Sequence, residues 1–158
     1  MVDKIRNVLF MCFGNTARSP AAEKIAQWLK ETSYPEELKE VEFDSAGFFS
    51  VFKTPRPGTI SFIKESTGID MAHFRGKKVD ENLLKIADLI LVMQERHLKR
   101  LKRKFKNIPN LEEKSHIIKE FIGDTVNIDI PDPVDFSDEG YRKIMEEVKR
   151  AVDLSVKK

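Results

Sequence analysis

A short apolar run, Val8-Leu9-Phe10-Met11, passes directly into Met11-Cys12-Phe13-Gly14-Asn15-Thr16-Ala17-Arg18-Ser19-Pro20. The run reads as a buried strand. Ala21 to Lys30 follows with a helical pattern, placing Ala22, Ile25, Ala26 and Leu29 on one face. Ser19 suits the N-cap of that helix and Pro20 its first position, where a missing N–H costs nothing. A strand that gives way to a helix through a glycine-containing loop aims loop N–H groups and the helix N-terminus at one spot. That spot binds oxyanions. Gly14 and Asn15 suit left-handed turn residues, which expose successive N–H groups inward. Arg18 adds a planar fork that grips two phosphate oxygens at once. Cys12 lies at the bottom of this positively polarised cup, where a thiolate is stabilised and poised to attack phosphorus. Ser19 can donate its hydroxyl to the sulfur.

The remaining elements extend the same plan. Val41 to Asp44 reads as a second strand stopped by Ser45-Ala46-Gly47, and Asp88 to Met93 as a buried one. Ser115 to Lys119 reads as a weaker fourth. Helical patterns cover Thr59 to Ser66 with Gly68 as stop, Glu81 to Ala87 capped by Asp80, Gln94 to Lys106, and Glu139 to Leu154 capped by Asp138. Strands alternating with helices predict a Rossmann-like, three-layer α/β fold: a four-stranded parallel sheet flanked by helices, with its ligand at the carboxyl ends of the strands. Phe48 to Gly58 is a loop, since Pro55 and Pro57 forbid a central strand. Its phenylalanines either fold back on the core or wall a pocket.

At 158 residues the expectation is a single domain spanning 1–158. A charged fraction of 34% beside 41% hydrophobic residues excludes disorder, and a net charge of +2 gives no reason to expect nucleic acid or membrane as partner. No apolar run approaches the roughly 20 residues of a membrane helix, and no signal-peptide h-region precedes Val8, so the expected location is the cytoplasm. The single cysteine excludes an intrachain disulfide and a cysteine zinc site. His73, His97 and His116 show no metal-ligand spacing and read as structural or surface residues. Neither metal nor cofactor is expected. Arg96 to Lys106 holds eight Lys, Arg or His residues, which reads first as a solvated helical face and second as a docking surface for acidic partners.

A thiolate attacking phosphorus needs an acid to protonate the departing oxygen. Asp132, held stiff between Pro131 and Pro133, is the candidate. It protonates the leaving group in the first step and activates water in the second.

Cys12-Phe13-Gly14-Asn15-Thr16-Ala17-Arg18-Ser19-Pro20 resembles the signature of the low-molecular-weight protein tyrosine phosphatases, Cys-x-Gly-Asn-x-Cys-Arg-Ser-Pro. Asp44-Ser45-Ala46-Gly47 matches the family's Ser-Ala-Gly, Asp88 to Met93 its Asp-Leu-Ile-x-x-Met strand, and Asp132-Pro133 its late Asp-Pro. The resemblance implies hydrolysis of phosphorylated proteins through a phosphocysteine intermediate, without metal. It assigns Cys12 as nucleophile, Arg18 as phosphate binder and Asp132 as acid/base. Phe13, Gly14, Asn15, Thr16 and Ala17 would cradle the phosphate, Asn15 and Ser45 would hold the loop in shape, and Ser19 would assist the leaving thiolate.

Three positions depart from the family pattern. Ala17 replaces its second cysteine. Val134 stands where tyrosine-directed members place an aromatic after Asp-Pro, with Phe136 two residues later, leaving Phe13, Phe48 and Phe52 as candidates for an aromatic wall. Thr16 stands where the related phosphoarginine phosphatases carry threonine and the tyrosine enzymes commonly carry isoleucine. The expected activity is therefore phosphotyrosine hydrolysis, with phosphoarginine hydrolysis as alternative. Arsenate reductase shares the loop but needs further cysteines, and a non-enzymatic oxyanion module would not need the acid.

Overall fold

A computed structural model describes residues 5–49, 53–133 and 136–157. In chain order they form β1 (Asn7–Cys12), α1 (Arg18–Thr32), β2 (Glu42–Gly47), α2 (Pro57–Thr67), α3 (Glu81–Ile86), β3 (Leu89–Val92), α4 (Glu95–Lys104), α5 (Leu111–Lys114), β4 (Ser115–Ile117), α6 (Ile118–Phe121) and α7 (Asp138–Val156). The four strands run parallel in the order β2-β1-β3-β4. This is the expected α/β architecture.

The alternation of side chains along β1 splits the core in two. Val8, Phe10 and Cys12 face a layer made by α1, α2 and α7, where Ile25, Ile63 and Val148 are buried. Leu9 and Met11 face the opposite layer, where Leu84 of α3 and Leu101 of α4 pack. A strand buried on both faces must be apolar at every position, which is why Val8 to Met11 shows no alternation. Its start is fixed by Asp88, whose carboxylate accepts from the N–H groups of Arg6 and Asn7 at 2.9 Å each.

β1 lies between β2 and β3, so the chain leaves it toward one side of the sheet and later returns on the other. The crevice at such a switch point opens at the carboxyl ends of the strands. The Cys12–Ala17 loop fills it.

Several boundaries differ from expectation. α1 begins at Arg18 with Ala17 at its N-cap, so Ser19 lies inside the helix and its hydroxyl is free to turn toward the loop. β2 continues through Ser45-Ala46-Gly47 because these residues pair in register with Phe10, Met11 and Cys12. Ser137, rather than Asp138, caps α7 by accepting from the Gly140 N–H at 3.1 Å. Asp80 caps α3 by accepting from Leu83 N–H, and Gly68 ends α2 in the left-handed conformation, both as expected. Among the described residues no helix is long and apolar enough to cross a membrane.

Candidate active site

Cys12 closes β1 opposite Gly47 of β2. The loop then turns tightly enough that Asn15 takes a φ of 55°, while Gly14 stays outside the left-handed region. Asparagine tolerates that conformation because its short amide bonds locally. Here the amide uses three hydrogen-bonding positions at once. Its nitrogen donates to Ser19 Oγ at 2.9 Å and to Ser45 Oγ at 3.0 Å, and its oxygen accepts from the Lys77 backbone N–H at 2.9 Å.

The bonds continue in both directions from Asn15. Ser45 donates to a Glu23 carboxylate oxygen at 2.6 Å. Ser19 Oγ lies 2.9 Å from Cys12 Sγ. Since Ser19 already accepts from Asn15, its proton is available to a thiolate sulfur. Burial raises the Glu23 carboxyl above its ordinary range, opposed by the bond from Ser45 and the charge of Lys24. A buried polar network of this kind fixes one geometry only if each member is satisfied, and each of these is.

β2 presses on the loop from the side. A Cβ on Gly47 would stand 2.7 Å from Asn15 N and 2.8 Å from Phe13 O. The Phe13 carbonyl also accepts from the N–H groups of Phe48 and Phe49, at 2.8 and 3.0 Å. On the far side, Thr16 O accepts from Arg56 N–H at 2.9 Å. The cup is thus clamped on three sides by backbone.

Arg18, at the start of α1, is 2% exposed. One terminal nitrogen donates to Gln94 Oε1 at 2.6 Å and to Ile130 O at 2.7 Å. The other lies 3.9 Å from Asp132 Oδ2, whose side chain is 34% exposed. Burial lowers the guanidinium's pKa, and the charges of Cys12 and Asp132 oppose that. The loop bearing Asp132 is tied in place twice. Ile130 N–H donates to Met93 O at 2.8 Å, and Asp129 accepts from Glu95 N–H at 2.8 Å at the start of α4. Residues from the two ends of the sequence, Cys12 and Asp132, are thereby joined through Arg18.

Sequence alone gives Gln94 no role and reads His97 as a structural or surface residue, although their spacing is that of a capping box. The Gln94 N–H donates to His97 Nδ1 at 3.1 Å, so the neutral ring carries its proton on Nε2. His97 is core rather than surface. Burial, then the charges of Arg18, Arg96 and Arg100, lower its pKa to about 3.

The aromatic candidates separate. Phe13 and Phe49 are exposed at the loop's edge, with ring centroids 5.0 Å apart. Phe48 is buried in the core, so the exposed aromatic pair beside the loop is Phe13 with Phe49. The sheet explains this: Phe48 directly follows β2 and alternation turns it inward. Phe136 is exposed and packs near Gly140. Phe52 and Val134 lie outside the described residues. Arg100 sits over the Phe13 and Phe49 rings, 5.4 and 5.9 Å from their centroids. Among the described residues no group of His, Cys, Asp and Glu is arranged to hold a metal ion.

Residues 7–157 match the family model for low molecular weight phosphotyrosine protein phosphatase. The low molecular weight protein-tyrosine-phosphatase Ptp of Acinetobacter johnsonii is 34% identical over 100 residues, 63% of this chain and 65% of that protein. A protein-arginine-phosphatase of Geobacillus stearothermophilus is 28% identical over 146 residues, covering 92% of this chain and 90% of its own. The crystal structure of a low molecular weight protein tyrosine phosphatase from T. tengcongensis superposes with a TM-score of 0.82 at 34% identity, covering 96% of this chain and 97% of that one. The thiol cup at the switch point thus lies within a match that runs almost from end to end, and the chain belongs to the low molecular weight phosphotyrosine protein phosphatase family.

Proposed function

We propose that this protein hydrolyses phosphotyrosine in phosphorylated proteins through a phosphocysteine intermediate. The observation that carries the reading is the guanidinium of Arg18, buried between the thiol loop and Asp132. It provides a cationic seat for a phosphoryl group with a nucleophile on one side and an acid on the other.

In the first step Cys12 Sγ attacks phosphorus. The S–P bond forms, the P–O bond to the leaving group breaks, and Asp132 delivers the proton to that oxygen. In the second, Asp132 takes a proton from water as its oxygen attacks phosphorus. The S–P bond breaks, phosphate departs, and Ser19 donates to the released thiolate. The loop N–H groups and Arg18 hold the charge of the equatorial oxygens throughout. The exposed Phe13–Phe49 pair offers an aryl leaving group a surface to pack on. A nucleophile that must stay reduced fits a cytoplasmic setting.

One observation favours the second reading. Thr16, half-buried in the loop, offers a hydroxyl to a polar guanidino leaving group, and a relative matched over 92% of this chain is named a protein-arginine-phosphatase. Rates measured side by side on a phosphotyrosine peptide and a phosphoarginine protein separate the two. Replacing Cys12→Ser tests their shared mechanism: hydrolysis is lost while phosphate binding is retained. Hydrolysis surviving that change would sink it.

A further inference from the structure

The charge run on α4 is not absorbed by the chemistry above. Arg96, Lys99, Arg100 and Arg103 follow the spacing that puts residues on one helical stripe. His97 and Leu101 are buried beneath them. Little within the fold neutralises the stripe. Lys99 meets Glu95 of its own helix at 3.3 Å. Among the described residues, the side-chain hydrogen bond of Arg96 goes to the neutral amide oxygen of Gln94, at 3.3 Å. Arg100 lies on aromatic rings, and no ion pair involves Arg103 among the described residues.

The stripe also starts at the site. The Gln94 oxygen that Arg96 touches is the one that holds Arg18. Arg100 sits over the exposed Phe13 and Phe49 rings at the loop's edge and over buried Phe48 beside them. From Arg96 to Arg103 the helix rises about 10 Å, at about 1.5 Å per residue. That matches roughly three residues of extended chain. A polypeptide leaving the cup over Phe13 and Phe49 would therefore run along a cationic track a few residues from its phosphorylated side chain.

We propose that Arg96, Lys99, Arg100 and Arg103 bind an acidic segment flanking the phosphorylated residue of the protein substrate, and so select among phosphoproteins. The proposal rests on the phosphatase reading. Charge complementarity favours such a segment: α4 bears a single carboxylate, Glu95, against this stripe and the neighbouring Lys104, while Lys102 pairs with Glu112 at 3.6 Å.

The test compares kcat/KM for three substrates. Two are phosphopeptides of equal length, carrying whichever phosphoryl residue the comparison above selects. One has glutamates three to five positions away on both sides; the other has serines there. The third is p-nitrophenyl phosphate. The wild type is set against a K99E/R103E variant and a K99Q/R103Q variant, neither of which alters the loop, Arg18 or Asp132. The wild type is expected to favour the acidic peptide about tenfold at low salt. That preference shrinks to within about twofold in both variants and in about 1 M salt, where the Debye length is about 3 Å. The aryl phosphate rate stays level.

Equal rates on both peptides in the wild type, or a preference that survives in both variants, would overturn the proposal. So would an equal loss on all three substrates in variants that keep the wild-type circular dichroism. A short oligonucleotide that inhibits both peptides equally would mark the stripe as a nucleic-acid surface and likewise count against it. If the wild type turned over none of the three, the phosphatase reading would fall and the docking reading with it.

Discussion

Ala17 leaves Cys12 without a second thiol anywhere in the chain. A sulfenic acid formed on Cys12 has no intrachain cysteine to condense with, so further peroxide carries it to sulfinic and sulfonic acids. Activity lost to excess peroxide should therefore not return on adding dithiothreitol; full recovery would contradict this. His97 gives a pH signature. In the unfolded chain it titrates near 6.5, whereas in the fold its pKa is about 3. The neutral form is the folded form, so the unfolded state binds more protons below about 6.5. Stability is present above that value and is lost as pH falls toward about 3. The urea midpoint should drop across this window, and His97→Asn, which keeps an acceptor for Gln94 N–H, should flatten the drop. Parallel slopes for the two proteins would assign the pH dependence elsewhere.

At the scale of the element, the end of β2 shapes the loop as much as the loop's own residues do. Gly47→Ala places a methyl against backbone that cannot yield cheaply. The expected outcome is a loss of about 1–3 kcal/mol in stability, with a fall in kcat/KM on p-nitrophenyl phosphate larger than the stability loss explains. Unchanged kinetics would show that the loop has room to shift. The same element shows where sequence reading reached its limit. The strand–loop–helix order was legible because apolar runs, Gly-Asn and Ser-Pro are local signals. Ser45-Ala46-Gly47 looked like a stop because small residues usually end strands, yet their register against Phe10, Met11 and Cys12 is a non-local pairing. Ser19 looked like a cap for the same reason: helix-start statistics do not know that a thiol waits 2.9 Å away.

For the whole molecule, the site depends on bringing distant segments to one crevice. The switch point at β1 does this for the loop, and ties at Met93 and Glu95 do it for the Asp132 segment. Asp132 and Arg18 could be nominated from residue type and motif, but Gln94 and Glu23 could not, nor could the choice of Phe49 among the loop phenylalanines. Their roles arise only after the helices settle on the sheet. The fixed seat of Arg18 then has a thermodynamic consequence. Its guanidinium is held within the fold by bonds to Gln94 and Ile130. Long side chains commonly surrender about 0.5–1.5 kcal/mol of rotamer freedom when they clasp a ligand; this one surrendered it when the chain folded. Phosphate should arrive at a receptor with little left to freeze, so that calorimetry records a small entropic penalty and Arg18 Nε relaxation hardly changes between the empty and the filled cup.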